Sequence, residues 1–518
     1  MMHFEVMDNG EWLRLVEYDD ELDLRQIEIS FTKKVANHFF RKKYSKNKSW
    51  DGNIEFFKKK RFLPIGLWAE LLNVSKQYGL GVTIDGLRDT IDDGLTMEEF
   101  TAWVNEFFKD GIGGDPNKKP RDYQIKAAFL ICKFRRTSQE LATSAGKTLI
   151  TFMAIAFMLH TKRIKRFIMI VPTLNLVVQG IEDFQEYGAY RVGMKFQQVG
   201  DGAKEIRSEA NVVIGTWQTL VKFEREMLGS FDCAFVDEAH QTPAKSIKEI
   251  IGKIANGGGG RYRFGLSGTL TAAGRDSADF FTSQVCLGPM VNEVSADFLF
   301  QNKYATPVDI RIVRMNYLND ETRAQLARLK QTRTDLEGSD IFNLEKKLVI
   351  RSRERLNFVV DFILRTTKNS IVLFQSVEEG YGRAIYDLIR EKDPKKEVYY
   401  VDGDTDNSLR DEYKKRMEAG ENRILIASFG TFSTGISIKN LHNIFLVESY
   451  KSENIIKQSI GRMMRLHADK ETAIVVDFVD DFSHGGKPNY LLNHMYERIK
   501  IYEKEKFPYK EFNIDLRR

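Results

Sequence analysis

The sequence predicts an α/β protein with two tandem lobes, each a parallel sheet covered by helices, behind a small α+β N-terminal unit. Two observations predict this. Short, uniformly apolar runs alternate with helical stretches in two successive sets, at 166–172, 212–217, 233–236 and 263–266 and again at 371–374, 398–401, 424–427, 444–447 and 473–478. Runs of this kind suit strands buried on both faces. Upstream, residues 111–120 are punctuated by glycine and proline, which sustain neither a helix nor a central strand.

Each element follows in order. Residues 1–112 form a first unit with regular patches at 22–29 and 97–108, and 111–120 reads as a linker after which that unit could be removed. Residues 113–305 make the first lobe, 306–482 the second, and 483–518 a C-terminal helical extension. The four consecutive glycines within 256–260 read as a flexible loop. No sequence repeat is visible, so the duplication is one of architecture.

Composition narrows the class. With 42% hydrophobic and 29% charged residues, the 518-residue chain is ordinary for a globular protein of several domains. The longest apolar stretch, 152–159, is far short of the roughly twenty residues a membrane span needs. Glu5, Asp8 and Glu11 stand where a signal peptide would be basic and then apolar. A cytoplasmic protein without membrane contact is expected. Cys132, Cys233 and Cys286 are too far apart for a local zinc clip and read as reduced thiols.

The chemistry is carried by Thr143-Ser144-Ala145-Gly146-Lys147-Thr148 and, further on, Val236-Asp237-Glu238-Ala239-His240. A turn ending in Gly-Lys-Thr lets consecutive backbone N–H groups face a phosphate at a helix N-terminus. Lys147 adds a cation for the β- and γ-phosphates, and the Thr148 hydroxyl can ligate Mg²⁺. Asp237, at the end of an apolar strand, can hold the metal, while Glu238 orients or deprotonates the attacking water. ATP and Mg²⁺ are therefore the expected substrate and cofactor. The loop departs from the full P-loop pattern at Leu141, where glycine is usual.

The net charge of +5 is too small to imply nucleic acid, but its distribution says more. Residues 33–61 hold eleven Lys or Arg against two acids, interleaved with Phe39, Phe40, Tyr44, Trp50, Phe56 and Phe57. Cations beside aromatics make a candidate nucleic-acid surface, with Lys42, Lys43, Lys58 and Lys59 as phosphate contacts. The competing reading is a solvated charged face over a small aromatic core.

Read in order, 120–481 resembles a superfamily 2 helicase or translocase of the DEAH-box type, which implies RecA-like lobes. Arg121-Asp122-Tyr123-Gln124 resembles the adenine-reading segment, implying ATP contacts from Tyr123 and Gln124. Val171-Pro172-Thr173 and Gly215-Thr216-Trp217-Gln218-Thr219 resemble motifs that hold a nucleic-acid backbone, which implicates Pro172, Thr173, Thr216, Trp217 and Gln218. Ser267-Gly268-Thr269 matches the motif coupling hydrolysis to movement, a role the resemblance extends to His240. Phe432-Ser433-Thr434-Gly435-Ile436-Ser437 resembles a motif reaching both strand and nucleotide, with Ser433 and Thr434 on the strand and Gly435 near ATP. Ser144 stands where many relatives have glycine.

Gln458-Ser459-Ile460-Gly461-Arg462-Met463-Met464-Arg465 matches the signature Gln-x-x-Gly-Arg-x-x-Arg. On a helix, Gln458, Arg462 and Arg465 would share one face. The two guanidiniums would then neutralise charge on the γ-phosphate held by the first lobe.

Trp50-Asp51-Gly52 followed by Arg61-Phe62-Leu63-Pro64-Ile65-Gly66-Leu67, together with the P-loop and Ser433-Thr434-Gly435-Ile436-Ser437-Ile438-Lys439-Asn440-Leu441, extends the resemblance to nearly the whole chain. It is to the UvsW family of recombination helicases of large tailed phages. That resemblance implies a monomeric motor in the bacterial cytoplasm, acting in recombination, repair and replication. It would migrate junctions, regress forks and unwind D-loops and R-loops on branched or single-stranded DNA and RNA–DNA hybrids, alongside recombination or single-strand-binding proteins. Three alternatives remain: an RNA helicase, the motor subunit of a restriction system, and an inactive DNA-binding module.

Overall fold

The apolar runs form the centres of two seven-stranded sheets, and in both every strand pair is parallel. The structure is a computed structural model that describes residues 1–36, 50–200, 202–317, 328, 338–433, 438–450, 452–467, 469–483 and 487–516. It divides into two units, Met1–Val294 and Ser295–Arg518. Among the described residues no helix is long and apolar enough to cross a membrane.

The large sheet of the first unit runs in the order Met290–Val294, Arg136–Leu141, Tyr262–Ser267, Cys233–Asp237, Phe167–Val171, Val212–Thr216, Phe196–Val199. Its central strands are fully buried, as uniformly apolar runs require. Arg136–Leu141 is different, because Thr137, Ser138, Gln139 and Glu140 are polar and buried. Their partners explain how such a strand is tolerated: Gln139 Nε2 donates to Ala127 O at 2.8 Å, Ser138 Oγ to Gly288 O at 3.2 Å, and Glu140 Oε2 accepts from Thr271 N at 2.9 Å.

The N-terminal part of this unit is α+β. A mixed sheet in the order Phe62–Pro64, Trp12–Tyr18, Met2–Val6, Val82–Asp85 is accompanied by helices Glu21–Ser30, Trp68–Tyr78 and Met97–Phe107. The last helix starts from a capping box between Thr96 and Glu99, which satisfies two otherwise orphaned donors.

The linker predicted at 111–120 does not separate two cores. Met2, Phe4, Phe31, Phe57 and Leu71 share one apolar cluster with Ile168, Val236, Phe281 and Leu287. Gly66 abuts helix Ala278–Leu287 so closely that a methyl group there would lie 2.0 Å from Gln284 O. On the other side Phe100 and Trp103 pack edge-on against Phe157 with ring centres 5.0 and 5.4 Å apart. Removing residues 1–116 would cut through this packing. The glycine run is also no loose loop: Gly260 N donates to Phe231 O at 2.8 Å, and a methyl on Gly257 would lie 2.5 Å from Gly229 Cα.

The sheet of the second unit runs Val398–Val401, Ile424–Ser428, Ser370–Phe374, Asn443–Leu446, Ala473–Asp481, Val308–Tyr317, Tyr509–Leu516. The segment expected as a helical extension holds one helix, Tyr490–Lys504, and then the strand Tyr509–Leu516. That strand pairs along Val308–Tyr317 from Ile310 to Tyr317. Arg498 anchors the helix by donating to both oxygens of buried Asp477 at 2.8 and 2.9 Å.

Charge also ties the N-terminal part to the large sheet. Glu11 accepts from Arg136 Nη2 and Arg263 Nη2, each at 2.5 Å, and those arginines are paired near the N-terminal ends of their strands. Burial alone would raise the Glu11 carboxyl, but Arg263 and Arg136 hold it below its usual 4.5. A carboxyl with a lowered folded-state pKa contributes stability that is complete above the unfolded value and is lost as pH falls through the folded one. Glu11→Gln is therefore expected to cost about 2–3 kcal/mol at neutral pH, less than for a fully buried pair because Glu11 is partly exposed. Urea unfolding of both proteins should show that gap shrinking below the ordinary glutamate range.

Candidate active site

Strand Arg136–Leu141 feeds the turn 142–146, and helix Lys147–His160 starts directly after it. Ser144 and Gly146 both take left-handed backbone angles, with φ of 71° and 83°. A turn with such left-handed residues at a helix N-terminus suits a concavity of N–H groups that binds an anion. Ser144 holds a conformation that glycine adopts freely and L side chains adopt at a cost.

The turn is clamped from behind by the segment expected to read adenine. Tyr123 Oη donates to Ala145 O at 2.9 Å and Gln124 Nε2 donates to the same oxygen at 3.0 Å, while Gln124 Oε1 accepts from Arg121 N at 2.9 Å. Both side chains are buried. Tyr123 and Gln124 thus set the shape of the phosphate turn.

Strand Cys233–Asp237, second from Arg136–Leu141 in the sheet, delivers the acidic motif. Burial first, and then the charge of Glu238, push the Asp237 carboxyl up to about 6 against the pull of Lys147. A carboxylate raised in this way gains from a nearby cation. With the Thr148 hydroxyl at the first turn of the helix, it is a donor set that suits Mg²⁺. Glu238 has a left-handed φ of 53°, and its Oε1 lies 3.9 Å from Lys147 Nζ.

His240 and Ser267 complete the cluster. His240 Nδ1 lies 2.9 Å from Ser267 Oγ, 3.3 Å from Glu238 Oε2 and 3.3 Å from Thr269 Oγ1. Ser267 Oγ is also 3.4 Å from Glu238 Oε2 and accepts from Thr269 N at 3.1 Å. Lys147, Asp237, Glu238, His240, Ser267 and Thr269, predicted from three separate stretches, meet in one polar network. Glu140 supports it unseen by sequence reasoning, holding Thr271 N just beyond Thr269. A buried acid in a polar strand carries no motif that would have flagged it.

The residues expected on a nucleic-acid strand also lie side by side. Thr216 pairs with Val171 at the ends of adjacent parallel strands, and Gln218 Nε2 donates to Pro172 O at 3.3 Å. Thr173 is the N-cap residue of helix Leu174–Glu186, and Trp217 is half-buried against the core. Thr216 is buried, with its hydroxyl donating to Thr219 Oγ1 at 3.3 Å.

In the second unit, Gln458 and Arg462 sit on helix Glu453–Met463, but the helix stops there and Met464 caps it. Arg465 does not continue the helical face that the spacing predicted. The partner is distant in sequence: Thr306 N donates to Met464 O at 2.8 Å and Thr306 Oγ1 to Arg465 O at 3.0 Å, drawing the chain into a turn. Arg462 lies over the Phe432 ring, 5.5 Å from its centre. Ser433 ends the short helix Phe429–Ser433. Thr434 and Gly435 lie outside the described residues, as does the Ser433 side chain. Glu448, which had no signature, caps Gln375 N and Ser376 N at 3.0 Å each.

The basic-aromatic stretch divides. Lys42 and Lys43 lie outside the described residues. Phe56 and Phe57 are core residues, Phe56 packing 5.5 Å from Phe281, so they are not platforms for bases. Lys33 is buried, paired with Asp276 and 4.5 Å from the centre of the Phe281 ring. Lys58 and Lys59 are exposed on a tight turn in which Lys59 and Lys60 have φ of 52° and 53°.

Residues 117–272 match the family described as type III restriction enzyme, res subunit, and residues 354–467 the helicase conserved C-terminal domain. The ATP-dependent DNA helicase uvsW of Enterobacteria phage T4 is 32% identical over 487 residues, covering 90% of this chain and 91% of that protein. The DNA 3'-5' translocase XPB2 of Sulfurisphaera tokodaii is 23% identical over 383 residues, covering 68% of this chain and 80% of that one. Among solved structures, S. cerevisiae Dbp5 bound to RNA and ADP BeF3 shares the fold with a TM-score of 0.53 at 16% identity, over 81% of this chain and 96% of that chain.

The clamp behind the phosphate turn has a direct test. A methyl on Gly146 would lie 2.3 Å from Gln124 Nε2, at a φ of 83° that already strains an L residue. Gly146→Ala is expected to weaken binding of a fluorescent ATP analogue at least about tenfold. Titration should show that loss, with the unfolding midpoint as a check on the fold.

Proposed function

Because this chain belongs to the UvsW family of ATP-dependent DNA helicases, we propose that it uses ATP with Mg²⁺ to translocate on DNA and remodel branched structures such as junctions, stalled forks, D-loops and R-loops. The observation carrying the chemistry is the network joining Lys147, Glu238, His240 and Ser267. Lys147 and the N–H groups of the turn bind the β- and γ-phosphates. Thr148 and Asp237 hold Mg²⁺, which supplies Lewis-acid neutralisation of phosphate charge when bound. Glu238 takes the proton of the attacking water, and the hydrogen bond of His240 to Ser267 links that event to the segment 267–271. Gln458, Arg462 and Arg465 stabilise charge developing on the γ-phosphate. Pro172, Thr173, Thr216, Trp217 and Gln218, with Ser433 and Thr434, hold the sugar-phosphate backbone, which positions the strand without reading bases.

The experiment is ATP hydrolysis with single-stranded DNA, duplex, a four-way junction, an R-loop and RNA, with Lys147→Ala as the blank. Junction or R-loop DNA is expected to stimulate more than RNA; the reverse would favour an RNA helicase. Lys147→Ala should weaken nucleotide binding, whereas Glu238→Gln should keep binding and lose turnover. Arg465→Ala should slow hydrolysis by at least about tenfold at saturating ATP and DNA, since a missing arginine finger costs far more than that in related chemistry.

Lys58 and Lys59 are proposed to contact the phosphates of branched or duplex DNA from an exposed turn. Charge reversal at both should lower junction affinity and flatten its salt dependence, because fewer counterions are released. ATP hydrolysis at saturating single-stranded DNA should be unchanged. Unaltered affinity and salt slope in the folded variant would remove them from the interface.

A further inference from the structure

The turn that carries Arg465 is held at three consecutive backbone oxygens. Met463 O accepts from Lys470 Nζ at 2.8 Å, Met464 O from Thr306 N at 2.8 Å, and Arg465 O from Thr306 Oγ1 at 3.0 Å. The last carbonyls of a helix have no partner within it, and here Lys470, just beyond the helix, and the distant Thr306 satisfy them. Neither Thr306 nor Lys470 belongs to a recognised motif.

Lys470 does more than end the helix. Its remaining donors reach Lys439 O and Leu441 O, each at 3.3 Å, so all three ammonium hydrogens meet backbone oxygens. The 439–441 stretch lies just after the glycine-containing motif at 432–437 and is itself anchored. Asn440 Nδ2 lies 3.2 Å from Met417 O, Glu418 O and Gly420 O, and Lys439 N donates to Glu418 Oε1 at 3.1 Å. One buried cation therefore ties the arginine turn to a fixed part of the unit. Burial and the nearby Arg465 lower its pKa to about 8, which leaves the ammonium mostly charged at neutral pH and able to use all three donors.

Thr306 supplies the second tie. It is buried and lies between helix Ala296–Gln301 and strand Val308–Tyr317, early in the second unit. We propose that Thr306 and Lys470 are positioning residues for ATP hydrolysis, fixing the turn after helix Glu453–Met463 so that Arg465 is aimed before nucleotide arrives. The inference rests on the role of Arg465 given above. Without these ties the arginine still reaches the phosphate, but only in a fraction of the conformations open to a free helix end, so the loss falls on the chemical step rather than on ATP binding.

The test uses the full chain with Thr306→Val, Thr306→Ser, Lys470→Met and Arg465→Ala, measuring kcat and KM for ATP at saturating single-stranded DNA. Thr306→Val removes one hydrogen bond at nearly constant shape and is expected to lower kcat about three- to tenfold, with KM changed less than about twofold. Thr306→Ser should restore kcat to within about twofold of wild type. Lys470→Met should lose about tenfold or more; should it not fold, the Thr306 pair decides alone. Thr306→Val at the wild-type rate, or Thr306→Ser as slow as Thr306→Val, beside a crippled Arg465→Ala, overturns the positioning roles while leaving Arg465 in place. An Arg465→Ala protein within about tenfold of wild type overturns the role of Arg465 and this inference with it.

Discussion

All strands of the first large sheet run in the same direction, and nearly everything functional in that unit follows from this. Parallel pairing sends every strand's C-terminal end to one edge. The phosphate turn after Leu141, the acidic motif at Asp237, Ser267-Gly268-Thr269, and the segments after Val171 and Thr216 all leave the sheet there. Motifs separated by tens of residues become neighbours through strand order alone. The same constraint puts the Glu11 contacts to Arg136 and Arg263 near the other end of two of these strands. The N-terminal part thus braces the sheet from the edge opposite the phosphate turn.

The site is built from part-buried charge and buried polar groups, which makes it expensive to assemble. Asp237 is raised because burial and Glu238 both oppose its ionisation. A polar strand beside the sheet edge is stable only because its side chains find partners, and an unsatisfied buried polar group would cost about 1–3 kcal/mol. One of those partners, Glu140 with Thr271 N, supports the loop leaving Ser267. Stability and positioning are here the same hydrogen bonds.

This also explains how far the sequence could be read. Central strands such as Phe167–Val171 and Ile424–Ser428 were legible as apolar runs because both faces are covered. The nucleotide residues were legible because phosphate binding restricts residue type at fixed spacing. Arg136–Leu141 was not, since its buried side chains are polar, and Tyr509–Leu516 was not, since this edge strand lies mostly exposed and carries no apolar run. Local patterns likewise could not show that Phe56 and Phe57 pack against Phe4 and Phe281 rather than face solvent. Spacing alone placed Arg465 on a helix, whereas distant Thr306 ends that helix early. For Phe56 and Arg465 the deciding partner lies far away in the chain.

The C-terminal segment shows how such partners make a peripheral stretch part of the working unit. Arg498 is fully buried against Asp477 and also donates to Tyr450 O at 2.9 Å, shortly before the helix that carries Gln458 and Arg462. From the end of the same C-terminal helix, Glu505 reaches Lys457 of that arginine-bearing helix at 2.5 Å. Stripping Arg498 from Asp477 would leave a carboxylate buried without its counter-charge, a change that typically costs about 3–5 kcal/mol. The arginine-bearing helix is therefore held at its start by the C-terminal helix and at its end by Thr306 and Lys470. Both ends are secured by residues outside the signature.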